Sequence, residues 1–366
     1  MPLSRSRRPL RRSLFVVVAL VLIAGLLLPA LPVHAIHGSD PIPDGKYPYV
    51  GGIWIRFNCC VMKEEAGEPV ETYFAMPNPP GYPFFDEDGD GDVDPEFLEG
   101  PKVRANGVLI APNVVLTQGA HFGNGRRVGV SFKEQIGDID PEDDAEFDEG
   151  ADGVYAGSVY HMPGIDRESE GFIPNDLAVI VLDENVADNH YGSVLATLPA
   201  LGALDTQKGT ELTAISYGPQ EDAPLLEEDA PTKDELLAAN AAWDFTRRQS
   251  PWTVTAVDAL RLRLEAPGPS WYCDADQGAP FIDERTGTVA ALMTFWPEYC
   301  HETVAYGYRL DTQEVRDFLC AVSQGQFDEV KDTNVDGLPA ETDPAELDPV
   351  RYELTRESAA VLDEFC

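Results

Sequence analysis

The residues best suited to chemistry are His121, Asp176 and the loop Cys273–Pro280. A histidine oriented by an aspartate can take a proton from a hydroxyl or a thiol, which is the arrangement used for nucleophilic acyl transfer. The loop reads Cys-Asp-Ala-Asp-Gln-Gly-Ala-Pro and contains no hydroxyl side chain. Its central residue, Gln277, has a carboxamide nitrogen that is not nucleophilic and that an imidazole does not activate at ordinary pH. The chain therefore contains residue types that could act as a base and as an orienting acid if the fold brought them together, while this loop offers no nucleophile.

Two acidic stretches have the ligand spacing of a calcium loop. Asp86–Asp94 reproduces the first nine positions of an EF-hand loop, with acids at positions one, three and five and glycine at six, but Phe97 occupies position twelve. Asp332–Gly337 resembles the start of a second loop, with Pro339 as a departure at position eight. Both stretches could instead be solvated acidic turns. We expect calcium and no organic cofactor, with the ligands Asp86, Asp88, Asp90, Asp92, Asp94, Glu96, Asp332, Asn334, Asp336 and Asp343.

Five segments of the chain, taken in order, resemble the trypsin/chymotrypsin-like serine protease family. Ile36–Ser39 resembles the family's I-V-G-G, and Tyr47–Val50 resembles its first strand. Gly107–His121 resembles the family's histidine motif, Asn175–Leu182 resembles N-D-I-A-L-L-x-L, and Cys273–Pro280 resembles C-x-G-D-S-G-G-P. The order of histidine, aspartate and nucleophile loop is also that of chymotrypsin. The resemblance implies an all-β fold, a chymotrypsin-like double six-stranded β-barrel with a C-terminal helix. It places His121, Asp176 and Gln277 at the triad positions, with Gln277 in the serine position.

The resemblance also implies two pairings. In the family, a buried amino-terminal ammonium pairs with the aspartate before the nucleophile, which corresponds here to Ile36 and Asp276. Because an unpaired buried carboxylate is costly, the presence of both partners favours an ordered loop. The alternative is that Asp276 faces solvent. The family's disulfide beside the specificity pocket corresponds to Cys273 with Cys300.

Other parts of the family's mechanism are altered here. Ala275 replaces the oxyanion-hole glycine, and Trp271 lies at the base of the specificity pocket, which it is large enough to fill. Where the family has S-W-G in the strand that pairs with substrate, this chain has Phe295 followed by Trp296 and Pro297. Proline has no N–H, so one hydrogen bond to a substrate backbone is impossible there. The changes affect the nucleophile, the oxyanion hole, the specificity pocket and the substrate-pairing strand together. Their combination favours a pseudoprotease, a protein that keeps the protease fold without the activity.

Charge and the start of the chain indicate export and limit the partners. The chain has 366 residues and a formal net charge of −38, which excludes nucleic acid as a natural partner. Residues 1–35 have five arginines, an apolar run and a small-x-small site ending at Ala35, the pattern of a signal peptide of the Sec or twin-arginine type. We expect a secreted, periplasmic or cell-surface protein, without a membrane anchor after cleavage, whose partner is an extracellular protein or peptide.

The remaining pattern predicts how the chain is organised. Short β-branched runs, including one over Val108–Thr117, predict strands, and two segments favour helix: Pro231–Arg248 and Asp311–Val322, the second with an aspartate cap. We expect a trypsin-like domain over 36–322 with a long early insertion at about 56–102, and an acidic C-terminal tail over 323–366 that packs back on the domain. The cysteines Cys59, Cys60, Cys320 and Cys366 allow several pairings, of which Cys320 with Cys366 is favoured.

Three functions follow from these patterns. The leading hypothesis is a secreted, calcium-stabilised pseudoprotease that binds or scaffolds without turnover. The first alternative is an active serine-type endopeptidase with an atypical nucleophile. The second is an extracellular structural protein in which the acidic loops and calcium are themselves the function.

Overall fold

The computed structural model describes these residues: 42, 45–55, 60–65, 68–73, 102–120, 122, 127–136, 153–165, 173–186, 194–218, 245–266, 276–294, 303–326 and 354–366. They all belong to one compact unit, His34–Cys366. Its strands, in chain order, are β1 Val50–Ile55, β2 Cys60–Glu65, β3 Glu68–Tyr73, β4 Lys102–Ala111, β5 Val114–Thr117, β6 Arg127–Ser131, β7 Val154–His161, β8 Ala178–Leu182, β9 Glu211–Ser216, β10 Arg248–Val257, β11 Arg261–Glu265, β12 Pro280–Asp283, β13 Thr288–Met293 and β14 Val304–Arg309.

Twelve of these strands form two closed antiparallel barrels of six strands each. The first barrel has the order β1-β4-β5-β8-β7-β6, and the second has the order β10-β11-β14-β13-β12-β9. The remaining two, β2 and β3, pair with each other within the predicted insertion. The predicted chymotrypsin-like double barrel is confirmed.

Burial along the strands explains why these segments form barrels. All side chains of β8 are buried, as expected for a β-branched run in a barrel wall. In β11, Leu262 and Leu264 point into the second barrel, while the alternating charged residues Arg261, Arg263 and Glu265 are only partly buried. This alternation follows from the two-residue period of a strand.

Two sequence-based assignments were wrong in detail. The run Val108–Thr117 is two strands, because Pro112 and Asn113 form a tight turn between β4 and β5. The C-terminal end of the helix predicted over Pro231–Arg248 is wrong, because this part of the chain is not helical. Arg248 begins β10, and Thr246 forms an isolated β-bridge with Gln135. Residues 231–244 of that prediction lie outside the described residues.

Two helices lie at the C-terminal end of the chain. Helix α1 spans Gln313–Ser323, and its N-cap is Thr312, whose hydroxyl accepts a hydrogen bond from the Val315 N–H. The predicted cap, Asp311, is buried instead and accepts from the Leu204 N–H at 2.7 Å and from the Arg309 guanidinium at 2.9 Å. Asp311 was therefore the wrong cap because its carboxylate is occupied by closer donors.

The second helix, α2, spans Arg356–Leu362 and is followed by a 3-10 turn, Asp363–Phe365. Leu362 is fully buried against the core of the first barrel, and the Ser358 hydroxyl accepts from the Asn113 N–H at 2.9 Å. A disulfide joins Cys320 in α1 to Cys366, as predicted. The end of the acidic tail is thus packed on the domain. Within the described ranges, no helix is both long and apolar enough to cross a membrane.

Candidate functional site

Asp176 is a buried carboxylate that contacts the segment immediately before His121. It follows a turn at Asn175, which has φ 56°, and precedes β8. Its Oδ1 accepts from the backbone N–H groups of Gly119 at 3.0 Å and Ala120 at 2.7 Å. The Gln118 carboxamide, oriented with its nitrogen toward the acid, donates to both carboxylate oxygens at 3.2 Å. The acid therefore fixes the approach to His121, which itself lies outside the described residues.

The loop that the family resemblance aligns with the nucleophile loop is described over residues 276–280, which form a tight turn and are here called the slot loop. The Ala279 N–H donates to the Asp276 carbonyl at 3.0 Å, and the Gly278 N–H donates to the Met293 carbonyl at 2.9 Å. Gly278 has φ 73°, a conformation that glycine adopts at little cost. A Cβ atom at Gly278 would lie 2.1 Å from the Asn106 carbonyl oxygen, so the loop approaches β4 closely.

Gln277 is buried, with only 1 % of its surface exposed. Its carbonyl oxygen accepts from the Asn106 N–H at 2.7 Å and from the Asn106 Nδ2 at 3.2 Å. The Asn106 carbonyl in turn accepts from the Thr117 hydroxyl at 2.7 Å. The main chain of Gln277 is therefore held against the wall of the first barrel.

Asp276 is also buried, which contradicts the alternative that it faces solvent. Its Oδ1 accepts from the Ser216 hydroxyl at 2.6 Å. A Cβ atom added at Gly218 would lie 1.9 Å from the same oxygen, so the 216–218 segment packs directly on the carboxylate. Ile36, the partner that the family resemblance implies, lies outside the described residues.

Sequence reasoning missed two polar residues in this region, Asn106 and Ser216. The Asn106 Oδ1 accepts from the Tyr217 N–H at 3.0 Å and lies 3.3 Å from the Ser216 hydroxyl. Both side chains are buried. Their strands also carry Lys102, Arg104, Glu211 and Thr213, so no local pattern in the sequence distinguishes these two residues.

Buried arginine and tyrosine side chains support the same region. Arg247 donates to the carbonyls of Lys46 at 3.1 Å, Tyr47 at 3.0 Å and Val50 at 3.1 Å. Burial raises the pKa of Tyr217 to about 12, although the nearby Arg247 cation opposes the rise. Arg247 thus ties the segment before β1 to the start of β10.

A buried tyrosine near Asp176 also has a perturbed pKa. Burial raises the pKa of Tyr308, and the negative charges of Glu314 and Asp176 raise it further. The Tyr308 phenol is therefore neutral at ordinary pH. A neutral phenol adds no second charge beside the Asp176 carboxylate.

Several predicted site residues cannot be placed, because they lie outside the described residues. They are the implied pocket, strand and disulfide residues Trp271, Cys273, Ala275, Trp296, Pro297 and Cys300, and all the predicted calcium ligands from Asp86 to Glu96 and from Asp332 to Asp343. In the part of the chain that is described, no group of three or more acidic, histidine or cysteine side chains could hold a metal ion. The described part of the site therefore consists of the buried acid Asp176 and the slot loop, which contains the buried acid Asp276.

Comparison with known proteins gives similarity of structure only. No protein-family model matches the chain, and no curated protein matches it. An atomic-resolution structure of HBP has 15% sequence identity, covers 79% of this chain and 96% of its own, and has a TM-score of 0.46. A structure of human heparin binding protein has 15% identity, coverage of 76% and 93%, and a TM-score of 0.44. Such similarity carries no information about activity. The trypsin-like fold rests on the two closed barrels and their strand order.

Proposed function

We propose that this protein is a secreted trypsin-fold pseudoprotease, which binds or scaffolds an extracellular protein or peptide and is stabilised by calcium. The observation that carries the proposal is Gln277. By the family resemblance it corresponds to the serine, it is buried, and its main chain is bonded to Asn106 of the opposite barrel. A carboxamide there supplies no oxygen nucleophile to attack a carbonyl, so the acyl-enzyme route is closed.

The altered residues beside Gln277 support the same function. Ala275 in the oxyanion position and Pro297 in the substrate-pairing strand each remove a part that serine proteolysis needs. Direct activation of water by His121 and Asp176 would lack those parts too. In proteases without a triad member, the residual rate of about 10³ to 10⁴ over water comes from the oxyanion hole and from binding.

Export and calcium rest on the sequence. The signal pattern over residues 1–35 supports secretion, and the excess of acidic residues supports a partner that is not a nucleic acid. Asp86–Asp94 and Asp332–Gly337 carry the oxygen ligands that calcium prefers. An ion bound there would neutralise part of the negative charge of these stretches.

The test is a comparison of three proteins with a fluorophosphonate probe and with casein: the unmodified chain, Gln277→Ser and His121→Ala. The unmodified chain is expected to show neither labelling nor turnover above the His121→Ala control. Gln277→Ser is expected to remain inactive, because the oxyanion and pocket positions are altered as well. Labelling of the unmodified chain that is lost on mutation of one residue would overturn the proposal.

One observation favours the alternative, an endopeptidase with an atypical nucleophile. Asp176 is buried beside the segment that leads to His121, the location expected for an acid that orients a catalytic base. Casein turnover by the unmodified chain that disappears in His121→Ala would establish this alternative. The same disappearance in Asp176→Asn would place the acid in the mechanism.

A further inference from the structure

The disulfide between Cys320 and Cys366 lies at the surface of the protein. Cys366 is exposed and Cys320 is half-buried. The contacts of the two sulfur atoms with the side chains of Ser323 and Gln324 are solvent-exposed as well. A thiolate in solution can therefore reach this bond, and access is one condition for thiol–disulfide exchange.

The surroundings of the two sulfur atoms favour attack on one of them. The Gln324 Nε2 donates to the Cys320 Sγ at 3.4 Å and lies 3.9 Å from the Cys366 Sγ. The Gln324 Oε1 accepts from the Gln326 Nε2 at 2.9 Å, which keeps the Gln324 nitrogen turned toward the sulfurs. A thiolate that attacks the more exposed Cys366 Sγ displaces Cys320, and the Gln324 N–H stabilises the charge on the departing sulfur.

A dithiol balances the reaction. Its first thiolate forms an S–S bond with Cys366, the bond between Cys366 and Cys320 breaks, and the electron pair leaves on the Cys320 sulfur. The second thiolate of the reductant attacks the mixed disulfide and displaces Cys366. The dithiol is oxidised to its own disulfide, two electrons pass to the protein, and each cysteine sulfur takes a proton from solvent.

The contacts that hold α2 without the disulfide are limited. A helix of seven residues is too short to be stable by itself. In the described segment 354–366, Leu362 is the one fully buried apolar side chain, and its neighbours Val361 and Phe365 are half-buried. The side-chain hydrogen bonds from this segment to the first barrel, within the described ranges, all go to Asn113.

Charge does not hold the two helices together. Helix α1 has two acidic side chains and one arginine, and Arg356–Phe365 has three acidic side chains and one arginine. Both elements therefore have a net negative charge. The Arg316 guanidinium lies over the Phe365 ring, 5.9 Å from its centroid, which is a favourable contact between them. The covalent bond thus joins two elements of like net charge.

We propose that the Cys320–Cys366 disulfide is a thiol-operated clasp: reduction by a dithiol releases α2 from the first barrel, and oxidation restores it. Release takes Leu362 out of the core and breaks the bond from the Asn113 N–H to the Ser358 hydroxyl. Both barrels keep all their strands, because no barrel strand lies in the segment 354–366. The inference goes beyond the proposed function and does not rest on it, since neither turnover nor calcium enters it.

Amide hydrogen exchange in the full chain tests the clasp, with the unmodified protein compared to the double variant Cys320→Ser with Cys366→Ser. Two N–H groups report on α2: that of Asn113, bonded to Ser358 at 2.9 Å, and that of Ala359, bonded to the Thr355 carbonyl at 3.0 Å. Both are expected to exchange about tenfold or more faster in the double variant. The Val254 N–H in the second barrel is the internal control and is expected to be unchanged. An unchanged rate at Asn113, or an equal rise at Val254, would overturn the proposal.

The second arm supplies the reductant. Dithiothreitol, a dithiol, is added to the folded unmodified chain, and iodoacetamide then labels free thiols. Cys320 and Cys366 are expected to be alkylated, and Asn113 is expected to exchange as fast as in the double variant. Dithiothreitol is expected to leave Asn113 exchange in the double variant unchanged, which separates this bond from other cysteines of the chain. The proposal falls if the two cysteines stay unlabelled in the folded chain, or if Asn113 responds equally in both proteins.

Discussion

Replacing Gly278 with alanine tests how tightly the slot loop is packed, because the chain provides a matched control. Gly278 has φ 73° and Gly287 has φ 70°, so alanine meets nearly the same backbone strain at both positions. That strain costs about 1–2 kcal/mol. At Gly287 no heavy atom lies within 4 Å of the added Cβ, whereas at Gly278 the Asn106 carbonyl oxygen lies 2.1 Å away and the Thr117 hydroxyl 2.8 Å away.

The clash at Gly278 can be relieved only if the loop moves off β4. That movement breaks the bond from the Asn106 N–H to the Gln277 carbonyl, and leaving such a buried group unpaired costs about 1–3 kcal/mol. We expect Gly278→Ala to lower the free energy of unfolding by about 2–5 kcal/mol, and Gly287→Ala by about 1–2 kcal/mol. Urea unfolding of both variants, with unchanged m-values, gives the comparison. Losses that agree within about 0.5 kcal/mol would refute the packing argument.

Three further predictions concern the disulfide, a buried tyrosine and calcium. Replacing both Cys320 and Cys366 with alanine should lower the unfolding free energy by about 4 kcal/mol, because the bond closes a ring across a sequence separation of 46; an unchanged denaturation midpoint would contradict this. Burial raises the Tyr217 pKa in the folded protein to about 12, above the ordinary value of 10. The contribution of Tyr217 to the free energy of unfolding is therefore complete below pH 10 and is lost between pH 10 and 12, by up to about 3 kcal/mol. Tyr217→Phe should flatten that alkaline loss, measured by urea unfolding at each pH, and an equally steep loss in the variant would assign it to other groups. Calcium at a hundredfold excess over its dissociation constant should raise stability by about 2.7 kcal/mol, and Asp86→Ala with Asp88→Ala should reduce the gain; a melting temperature unaffected by EDTA would argue against a calcium site.

The barrel architecture could be predicted because motifs and β-branched runs fall on barrel strands. The segments that form β1 and β8 have almost only apolar or β-branched residues, so the strands predicted from the sequence are the strands found in the structure. Strand β10 was missed for the opposite reason. It contains Arg248, Gln249 and Pro251, and its buried residues alternate with partly exposed ones, which a search for continuous apolar runs does not detect.

The candidate site shows a different limit. The motifs located Asp176 and the slot loop, because those residues recur at fixed positions within short segments. Asn106 could not be found in this way, because its partners Ser216 and Tyr217 are 110 and 111 residues away in the chain. Contacts over such separations depend on barrel closure, which no local pattern records. The cap of α1 was misassigned because a sequence shows two adjacent candidates, Asp311 and Thr312, but not that Arg309 and Leu204 occupy the first.

The position of α2 has a consequence for the order in which the protein is assembled. Ser358 bonds to Asn113 across 245 residues of chain, and Leu362 is buried against the core of the first barrel. Because the ribosome synthesises the amino-terminal part first, α2 can pack on the turn between β4 and β5 only when nearly the whole chain has been synthesised. Contacts of such long range also form slowly. Docking of the last residues is thus the late step of folding, and a chain that stops a dozen residues early leaves the first barrel unfinished.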